Sequence, residues 1–156
     1  MVVGSFPSLT RGRILASSSI SRAAATATNP DRSLELALAA ARVASETRGR
    51  DVVVLDMREI TPMFDYFVLA TGASRRQMAA MSDEIDEHLQ KSMGDRRLGT
   101  EGYTDGRWIL LDYGNVVIHL FDGESRDYYG LEHLWSRAPR VPLPVPAVEL
   151  GVRSPD

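Results

Sequence analysis

Cysteine is absent from this sequence of 156 residues. Without a thiol the chain offers no disulfide, no thiolate ligand for a metal ion and no cysteine nucleophile, and it suits a reducing compartment. No apolar run approaches the roughly 20 residues that a membrane-spanning helix needs, so we expect no membrane partner. The nucleotide-binding signatures G-x-x-x-x-G-K-S/T and G-x-G-x-x-G are also missing. These absences remove thiol enzymes and the commonest phosphate-binding loops from consideration.

Acidic side chains are missing from residues 1–30, a Ser- and Ala-rich segment that carries Arg11, Arg13 and Arg22. This composition is typical of an organelle transit peptide, but also of a disordered extension or of a start site placed too far upstream. We favour an untargeted extension, and therefore the cytoplasm over a plastid or mitochondrion. The remaining chain holds 15 basic and 21 acidic residues, a net charge of −6. Such an acidic body favours a basic protein partner over DNA or another phosphate backbone.

Hydrophobic periodicity predicts one α/β domain over residues 31–138, built on a small mixed β-sheet flanked by helices. Val52–Leu55 and Tyr66–Ala70 are continuous apolar runs of the kind that form strands buried on both faces. Ser74 and Gln77 match a capping box at the start of the helix that follows the second run. Helices and strands alternate in the order that an α/β architecture requires.

Glycine and proline set the remaining boundaries. Residues 94–106 hold four glycines and predict a loop. Residues 131–138 predict a last short helix that ends before Pro139. The proline-rich tail, residues 139–156, is expected to be extended or disordered.

The stretch 107–121 predicts a β-hairpin, because two apolar runs flank a turn at Asp112–Asn115. We expect the two ends of that turn to pair with each other and Trp108 to face His119. One face of the hairpin would carry only aliphatic side chains, namely Ile109, Leu111, Val116, Ile118 and Leu120. The opposite face would carry Trp108, Leu110, Val117, His119 and Phe121. This second face is either a second core or a docking surface.

Residues that could carry catalysis are few and scattered. None of the three histidines has a second histidine or a cysteine at ligand spacing, so zinc is not expected. Asp56, Asp65 and Asp112 lie at strand ends, where carboxylates can hold a metal ion, but aspartate is also common there for purely structural reasons. The stretch 123–127 misses the G-x-S-x-G pattern of serine hydrolases at its fifth position. We therefore expect no metal, no cofactor and no catalytic residue.

One helix start offers backbone amides to an anion. Gly72-Ala73-Ser74 leaves a strand and opens a helix, and such a position can bind phosphate. Every helix start needs a cap, however, and we favour that structural role for these residues.

An aromatic cluster lies between residues 124 and 138. Tyr128, Tyr129 and Trp135 occur there together with Arg126 and Leu131. Trp, Tyr and Arg are the side chains that dominate hot spots in protein–protein interfaces. The cluster therefore predicts a contact surface, although some of its members are expected to form local core.

Several spaced blocks follow one another in an order that is characteristic of one family. They are Asp65-Tyr66-Phe67-Val68, Thr71-Gly72-Ala73-Ser74-Arg75-Arg76-Gln77, Glu101-Gly102, Trp108 with Asp112-Tyr113-Gly114, Val117-Ile118-His119-Leu120-Phe121, Arg126-Asp127-Tyr128-Tyr129 and Leu131-Glu132-His133-Leu134-Trp135. Through these blocks, residues 33–138 resemble the ribosomal silencing factor family, also called Iojap-related. Several blocks in order are far more specific than a single motif.

The resemblance implies a fold similar to that of nucleotidyltransferases, but without their catalysis. No strand with Asp-x-Asp or Asp-x-Glu follows Gly72–Ser74, so the metal ligands of such an enzyme are missing. The resemblance also implies that the chain binds the large ribosomal subunit through its fourteenth protein and blocks joining of the small subunit. Members self-associate as well, which adds a homodimer to the expected partners. The alternative is a nucleotidyltransferase-like enzyme, or a nucleotide-binding sensor that uses Gly72–Ser74. A third interpretation is a direct RNA binder, which the acidic body disfavours.

For the docking surface we expect the face with Trp108 and His119, bordered by the segment Arg126–Trp135. Trp108 and Trp135 are expected to act as apolar anchors, while acidic side chains meet basic groups of the partner. An alternative role for Arg126 is an inward ion pair with Asp65 or Asp112. The complete expected set is Glu101, Trp108, Leu110, Asp112, His119, Phe121, Arg126, Tyr128, Tyr129, Leu131, Glu132 and Trp135.

Overall fold

The computed structural model describes residues 30–144, and the expectations for residues 1–29 and 145–156 lie outside this range. Its elements are, in chain order, α1 (Pro30–Glu46), β1 (Arg50–Asp56), β2 (Tyr66–Gly72), α2 (Arg75–Glu87, followed by a π-helical turn, His88–Ser92), β3 (Gly99–Glu101), β4 (Trp108–Asp112), β5 (Val116–Asp122), α3 (Gly123–Tyr129) and α4 (Leu131–Leu134). This order confirms the predicted α/β class.

The five strands form one mixed sheet in the order β1-β2-β5-β4-β3. The central strands β2 and β5 are parallel, and every other neighbouring pair is antiparallel. A parallel pair needs a crossover between its strands, and α2 supplies part of that connection. Consequently, the carboxyl ends of β2 and β5 lie at the same end of the sheet, beside the start of β1 and of β4.

The capping box at the start of α2 is confirmed. The Ser74 hydroxyl accepts the N–H of Gln77 at 3.1 Å, and the Gln77 side-chain oxygen accepts the N–H of Ala73 at 2.6 Å. The Gln77 amide nitrogen also donates to the carbonyl of Arg48 at 2.7 Å, which ties α2 to the turn between α1 and β1. Because the Ala73 and Gln77 N–H groups donate inside the cap, this geometry favours the structural role over a phosphate site.

The hairpin of β4 and β5 forms, but its predicted register is wrong by two residues. Trp108 pairs with Phe121, and His119 pairs with Leu110. The N–H of Tyr113 donates to the carbonyl of Val116 at 2.9 Å, which leaves a two-residue loop. A shift of two residues keeps every side chain on its predicted face, because the side-chain period of a strand is two. The division into two faces is therefore confirmed despite the register error.

Two local predictions need correction, while the tail is extended where the structure describes it, which is one of the two expected alternatives. The predicted loop 94–106 contains strand β3, which pairs with β4 at the edge of the sheet. The last helix stops at Leu134, shorter than the expected 131–138. The tail runs extended along the outer edge of β1, where Pro139 accepts from the N–H of Asp56 and Val141 donates to Val54, both at 2.8 Å. Residues 139–141 thus close one edge of the sheet.

Both faces of the sheet are buried. The helical face is covered by α1 and α2, whose inner side chains Leu36, Met78, Met81, Ile85 and Leu89 are at most 5% exposed. The aromatic face is covered by α3, α4 and the connection that follows β1, through the side chains Met57, Ile60, Phe64, Tyr129, Leu131 and Trp135. The molecule therefore has two cores, one on each side of a single sheet.

Candidate functional site

The aromatic face is a second core, and the expectation that it is itself a docking surface is corrected. Its strand residues expected at the surface are Trp108 (5% exposed), Leu110 (1%), His119 (4%) and Phe121 (1%). The indole of Trp108 packs against Tyr129 with the rings tilted by 46° and their centroids 4.6 Å apart, and the ring centroids of Phe67 and Trp135 are 6.4 Å apart. The covering side chains therefore separate these four residues from a partner.

Trp108 and His119 contact each other inside this core, as the sequence indicated. The indole N–H of Trp108 donates to Nδ1 of His119 at 3.2 Å, so the other ring nitrogen of His119 carries the proton in the neutral form. Burial lowers the pKa of His119 to about 3, so the ring is neutral at physiological pH. Its Nε2 has no hydrogen-bond partner among the described residues. The pair is a structural hydrogen bond within an aromatic cluster.

Arg126 is buried and holds the covering layer to the sheet. Its Nε donates to Glu132 at 2.8 Å and its Nη1 donates to the hydroxyl of Thr71 on β2 at 2.9 Å. Arg140, on the tail segment, donates to the other oxygen of Glu132 at 3.0 Å. One carboxylate thus joins α3, α4 and the tail. The expected inward partners of Arg126, Asp65 and Asp112, are replaced by Thr71 and Glu132.

The three acidic residues of the expected set are placed differently from one another. Asp112 is 5% exposed, and one of its oxygens accepts the N–H of Gly114 in the hairpin loop at 2.8 Å. The pKa of the Asp112 carboxyl is raised above its usual value, because the effect of burial is larger than the opposing effect of this hydrogen bond. Glu132 is engaged by Arg126 and Arg140. Glu101 is half-buried on β3, opposite Leu110 and at the far edge of the sheet from α3 and α4.

The apolar surface lies one layer further out than the sequence predicted. We call it the α3–α4 patch and define it as Tyr128, Leu131, Leu134 and Trp135. Tyr128 is 60% exposed and Leu134 is 62% exposed, the highest values for large apolar side chains among residues 31–144. Leu131 and Trp135 are half-buried, since each also packs on the aromatic core. The patch therefore rests directly on that core.

Leu134 was missed by sequence reasoning. A four-residue helix has no room for a complete amphipathic pattern, so it cannot bury all three of Leu131, Leu134 and Trp135. The available signal was the density of apolar residues in this short segment, bounded by Gly130 and Pro139. Gly130 adopts φ 53°, a left-handed conformation that ends α3 and redirects the chain into α4.

Neither a metal centre nor a membrane segment is found in the part of the chain that the structure describes. Residues 30–144 contain no group of three or more His, Cys, Asp or Glu side chains that could hold a metal ion. None of their helices is both long and apolar enough to cross a bilayer. The fold and the patch define the class: a small mixed α/β domain that presents an apolar surface beside a buried aromatic core.

Comparison with known proteins places this domain in a family. The model described as ribosomal silencing factor during starvation matches residues 30–154. Ribosomal silencing factor RsfS of Bacillus subtilis is 38% identical over 104 residues, which cover 67% of this chain and 87% of that protein. Mitochondrial assembly of ribosomal large subunit protein 1 of Mus musculus is 34% identical over 94 residues, 58% of this chain and 41% of that protein.

A solved structure agrees with these relatives. The crystal structure of a protein from Chromobacterium violaceum is 33% identical and superposes with a TM-score of 0.64, covering 74% of this chain and 95% of that one. The chain belongs to the ribosomal silencing factor family. It is a ribosome-associated regulator of translation.

Proposed function

We propose that this chain binds the large ribosomal subunit through its fourteenth protein and thereby blocks joining of the small subunit. The observation that carries the proposal is the α3–α4 patch, where Tyr128 and Leu134 stand exposed on a domain of the silencing factor family. The mouse relative is named for assembly of the ribosomal large subunit, which supports the choice of subunit. Exposed aromatic and aliphatic groups of this kind form the centre of protein interfaces.

The proposed mechanism is occlusion. A small domain seated on the contact surface of one subunit makes the approach of the other sterically incompatible, so the activity requires no chemical step. This agrees with a surface that offers apolar area and charge, and we propose that the chain is not an enzyme and needs no cofactor. Affinity then depends on the apolar area buried at the patch and on charge complementarity around it.

The predicted site residues divide into two roles under this proposal. Tyr128 and Leu134 contact the partner directly, and the half-buried side chains Tyr129, Leu131 and Trp135 complete the surface. Glu101 lies away from the patch, on the edge strand β3. The remaining residues hold the surface from below or at its margin, namely Trp108, Leu110, Asp112, His119, Phe121, Arg126 and Glu132. A rigid support keeps interface side chains in their bound conformation and lowers the entropic cost of binding.

A second copy of this chain could use the same patch. An isologous dimer needs a self-complementary surface, and an apolar patch satisfies that requirement without matched charges. We propose that such a dimer and the ribosomal complex exclude each other, because both bury Tyr128 and Leu134. The proposed location is the cytoplasm, and the mitochondrial relative keeps an organelle as the alternative.

Sucrose-gradient sedimentation tests the proposed function. Isolated large and small subunits are mixed under joining conditions with and without the full chain, and each fraction is probed for the protein. We expect the chain to migrate with the large subunit while the peak of joined ribosomes falls. A chain that stays at the top of the gradient at several salt concentrations, with an unchanged joined peak, would contradict the proposal.

A further inference from the structure

Five exposed arginines gather at one end of the sheet, on a domain whose overall charge is negative. They are Arg48, Arg50, Arg75, Arg76 and Arg107. Residues 31–144 carry 14 basic and 19 acidic side chains, so the average charge gives no hint of this cluster. We call it the basic end.

The fold brings these residues together from three separate segments of the chain. Arg50 opens β1 and pairs with Thr71 at the end of β2, while the carbonyl of Arg48 accepts from the side chain that caps α2. Arg75 is the first residue of α2, and its aliphatic stem packs against Gly106, where a Cβ would lie 3.4 Å from the Arg75 Cγ. Arg107 accepts the N–H of the last residue of β5 at 2.9 Å. All five therefore lie on loops and element ends around the carboxyl ends of the two parallel strands.

These arginines differ from most others in the domain because none forms an ion pair within residues 31–144. Six of the eight other arginines within residues 31–144 are matched to acids at short range, the exceptions being Arg96 and Arg137; the six are Arg32, Arg42, Arg58, Arg97, Arg126 and Arg140. Four carboxylates, those of Asp51, Asp105, Asp122 and Glu124, lie on the same loops and element ends, so they balance four of the five guanidinium groups. The basic end therefore keeps a local excess of one positive charge.

A neighbouring cleft of about 820 Å³ does not account for the cluster. Its three arginines, Arg50, Arg126 and Arg140, are balanced by Asp51, Asp127 and Glu132. Four of the five exposed arginines lie outside the cleft lining. The surplus charge is thus spread over an extended surface, which suits a polyanion rather than a small ligand held in a pocket.

We infer that the basic end contacts the phosphate backbone of ribosomal RNA when the chain is bound to the large subunit. The inference rests on the proposed function and adds RNA to the protein partner. Guanidinium groups bind phosphate through paired N–H donors, and such contacts orient a protein on RNA without reading its sequence. Because α3 starts directly after β5, the basic end and the α3–α4 patch are neighbouring surfaces. Under this inference the local charge of the basic end, and not the net negative charge of the body, governs the contact with a phosphate backbone.

The salt dependence of binding to intact large subunits tests the inference. Arg75→Gln with Arg107→Gln removes two charges from the basic end, and Gln keeps the Cγ that packs on Gly106. Lys91→Gln with Arg96→Gln is the matched control, since both side chains are exposed and lie after the end of α2 that is opposite Arg75, away from the basic end and from the α3–α4 patch. Each lost phosphate contact lowers the slope of log K against log salt by roughly 0.7–0.9. We expect the slope to fall by about 1.5 in the first variant and to stay unchanged in the control.

A second readout separates this inference from the proposed function. Filter binding of the wild-type chain to protein-free RNA of the large subunit, at low salt, measures the RNA contact alone. Equal slopes for both variants on intact subunits would overturn the inference while leaving the proposed function in place. If the wild-type chain failed to bind intact subunits, the proposed function would fall. The filter assay would then decide alone. Loss of RNA binding in the Arg75/Arg107 variant, with the control variant unaffected, would support the inference. Equal RNA binding by both variants would contradict it.

Discussion

The two faces of the sheet are buried to a similar depth but are covered in different ways. On the helical face, α1 and α2 have 17 and 13 residues, long enough to turn one full apolar stripe inward and a charged stripe outward. On the aromatic face, the cover is a helix of seven residues, a helix of four residues and a connecting segment. The short elements bury the sheet but leave Tyr128 and Leu134 in solvent. Short covering helices can therefore complete a core and present an apolar surface at once.

The largest expected effect tests whether the aromatic face is a core equal to the helical face. Trp108→Ala should lower the free energy of unfolding by about 3–5 kcal/mol, because the indole is 5% exposed and packs against three aromatic rings. Ile85→Ala on the helical face should cost about 2–5 kcal/mol. Urea unfolding followed by circular dichroism measures both. A Trp108→Ala variant as stable as the wild type would mean that this face is a docking surface after all.

The next effect concerns the ion pairs that hold the covering helices in place on each face of the sheet. Glu132→Gln should cost about 1–3 kcal/mol, since it leaves the guanidinium of Arg126, 10% exposed, without its carboxylate. Glu46→Gln on α1 is the control. Its partner Arg42 is 54% exposed, so less than about 0.5 kcal/mol is expected. Equal midpoints of urea unfolding for the two variants would show that the bridge from Arg126 to Arg140 does not hold the aromatic cover in place.

A further effect is absent at neutral pH and distinguishes the faces as the pH falls. Burial lowers the pKa of His119 to about 3, below its usual 6.5, so the unfolded state binds the proton first as the pH falls. The contribution of His119 to the free energy of unfolding should therefore be fully present above about pH 6.5. It should decline toward pH 3 by about 1.4 kcal/mol per unit of pH. His119→Gln keeps an acceptor for the Trp108 indole and should remove that part of the slope. Identical slopes of stability against pH for variant and wild type would contradict the buried, neutral histidine.

The two faces were predictable from the sequence because alternation along a strand survives an error in register. The pairing of residues across the hairpin could not be predicted, because the apolar periodicity is the same after a shift of two residues. The turn residues fix the register, because Gly114 adopts φ 85° and forms the two-residue loop with Asn115. Strand β3 was missed because three residues with a glycine carry no periodic signal.

The exposed α3–α4 patch lies one layer outside the residues that the sequence placed at the surface. The aromatic residues of β4 and β5 were correctly grouped, but their burial depends on Phe64, Leu131 and Trp135, which fold over them from distant positions in the chain. The partners of Arg126 were equally non-local, since Thr71 lies 55 residues away. Such contacts follow from tertiary packing and leave no spacing in the sequence by which to find them.

The central claim is that the exposed part of the aromatic cover is the contact surface. Tyr128→Ala with Leu134→Ala should leave the free energy of unfolding within about 0.5 kcal/mol per site, because both side chains are more than half exposed. Leu98→Ala with Tyr103→Ala removes the same two residue types at positions that are 43% and 42% exposed elsewhere on the domain. The pair forms a matched control.

The affinity of these two variants for isolated large ribosomal subunits is the most direct test. With fluorescently labelled chains, we expect the dissociation constant of the Tyr128/Leu134 variant to rise about 10- to 100-fold, the loss typical of two interface anchors. The Leu98/Tyr103 variant should bind like the wild type. If the Tyr128/Leu134 variant bound normally, or if both variants lost affinity equally, the α3–α4 patch would not be the contact surface.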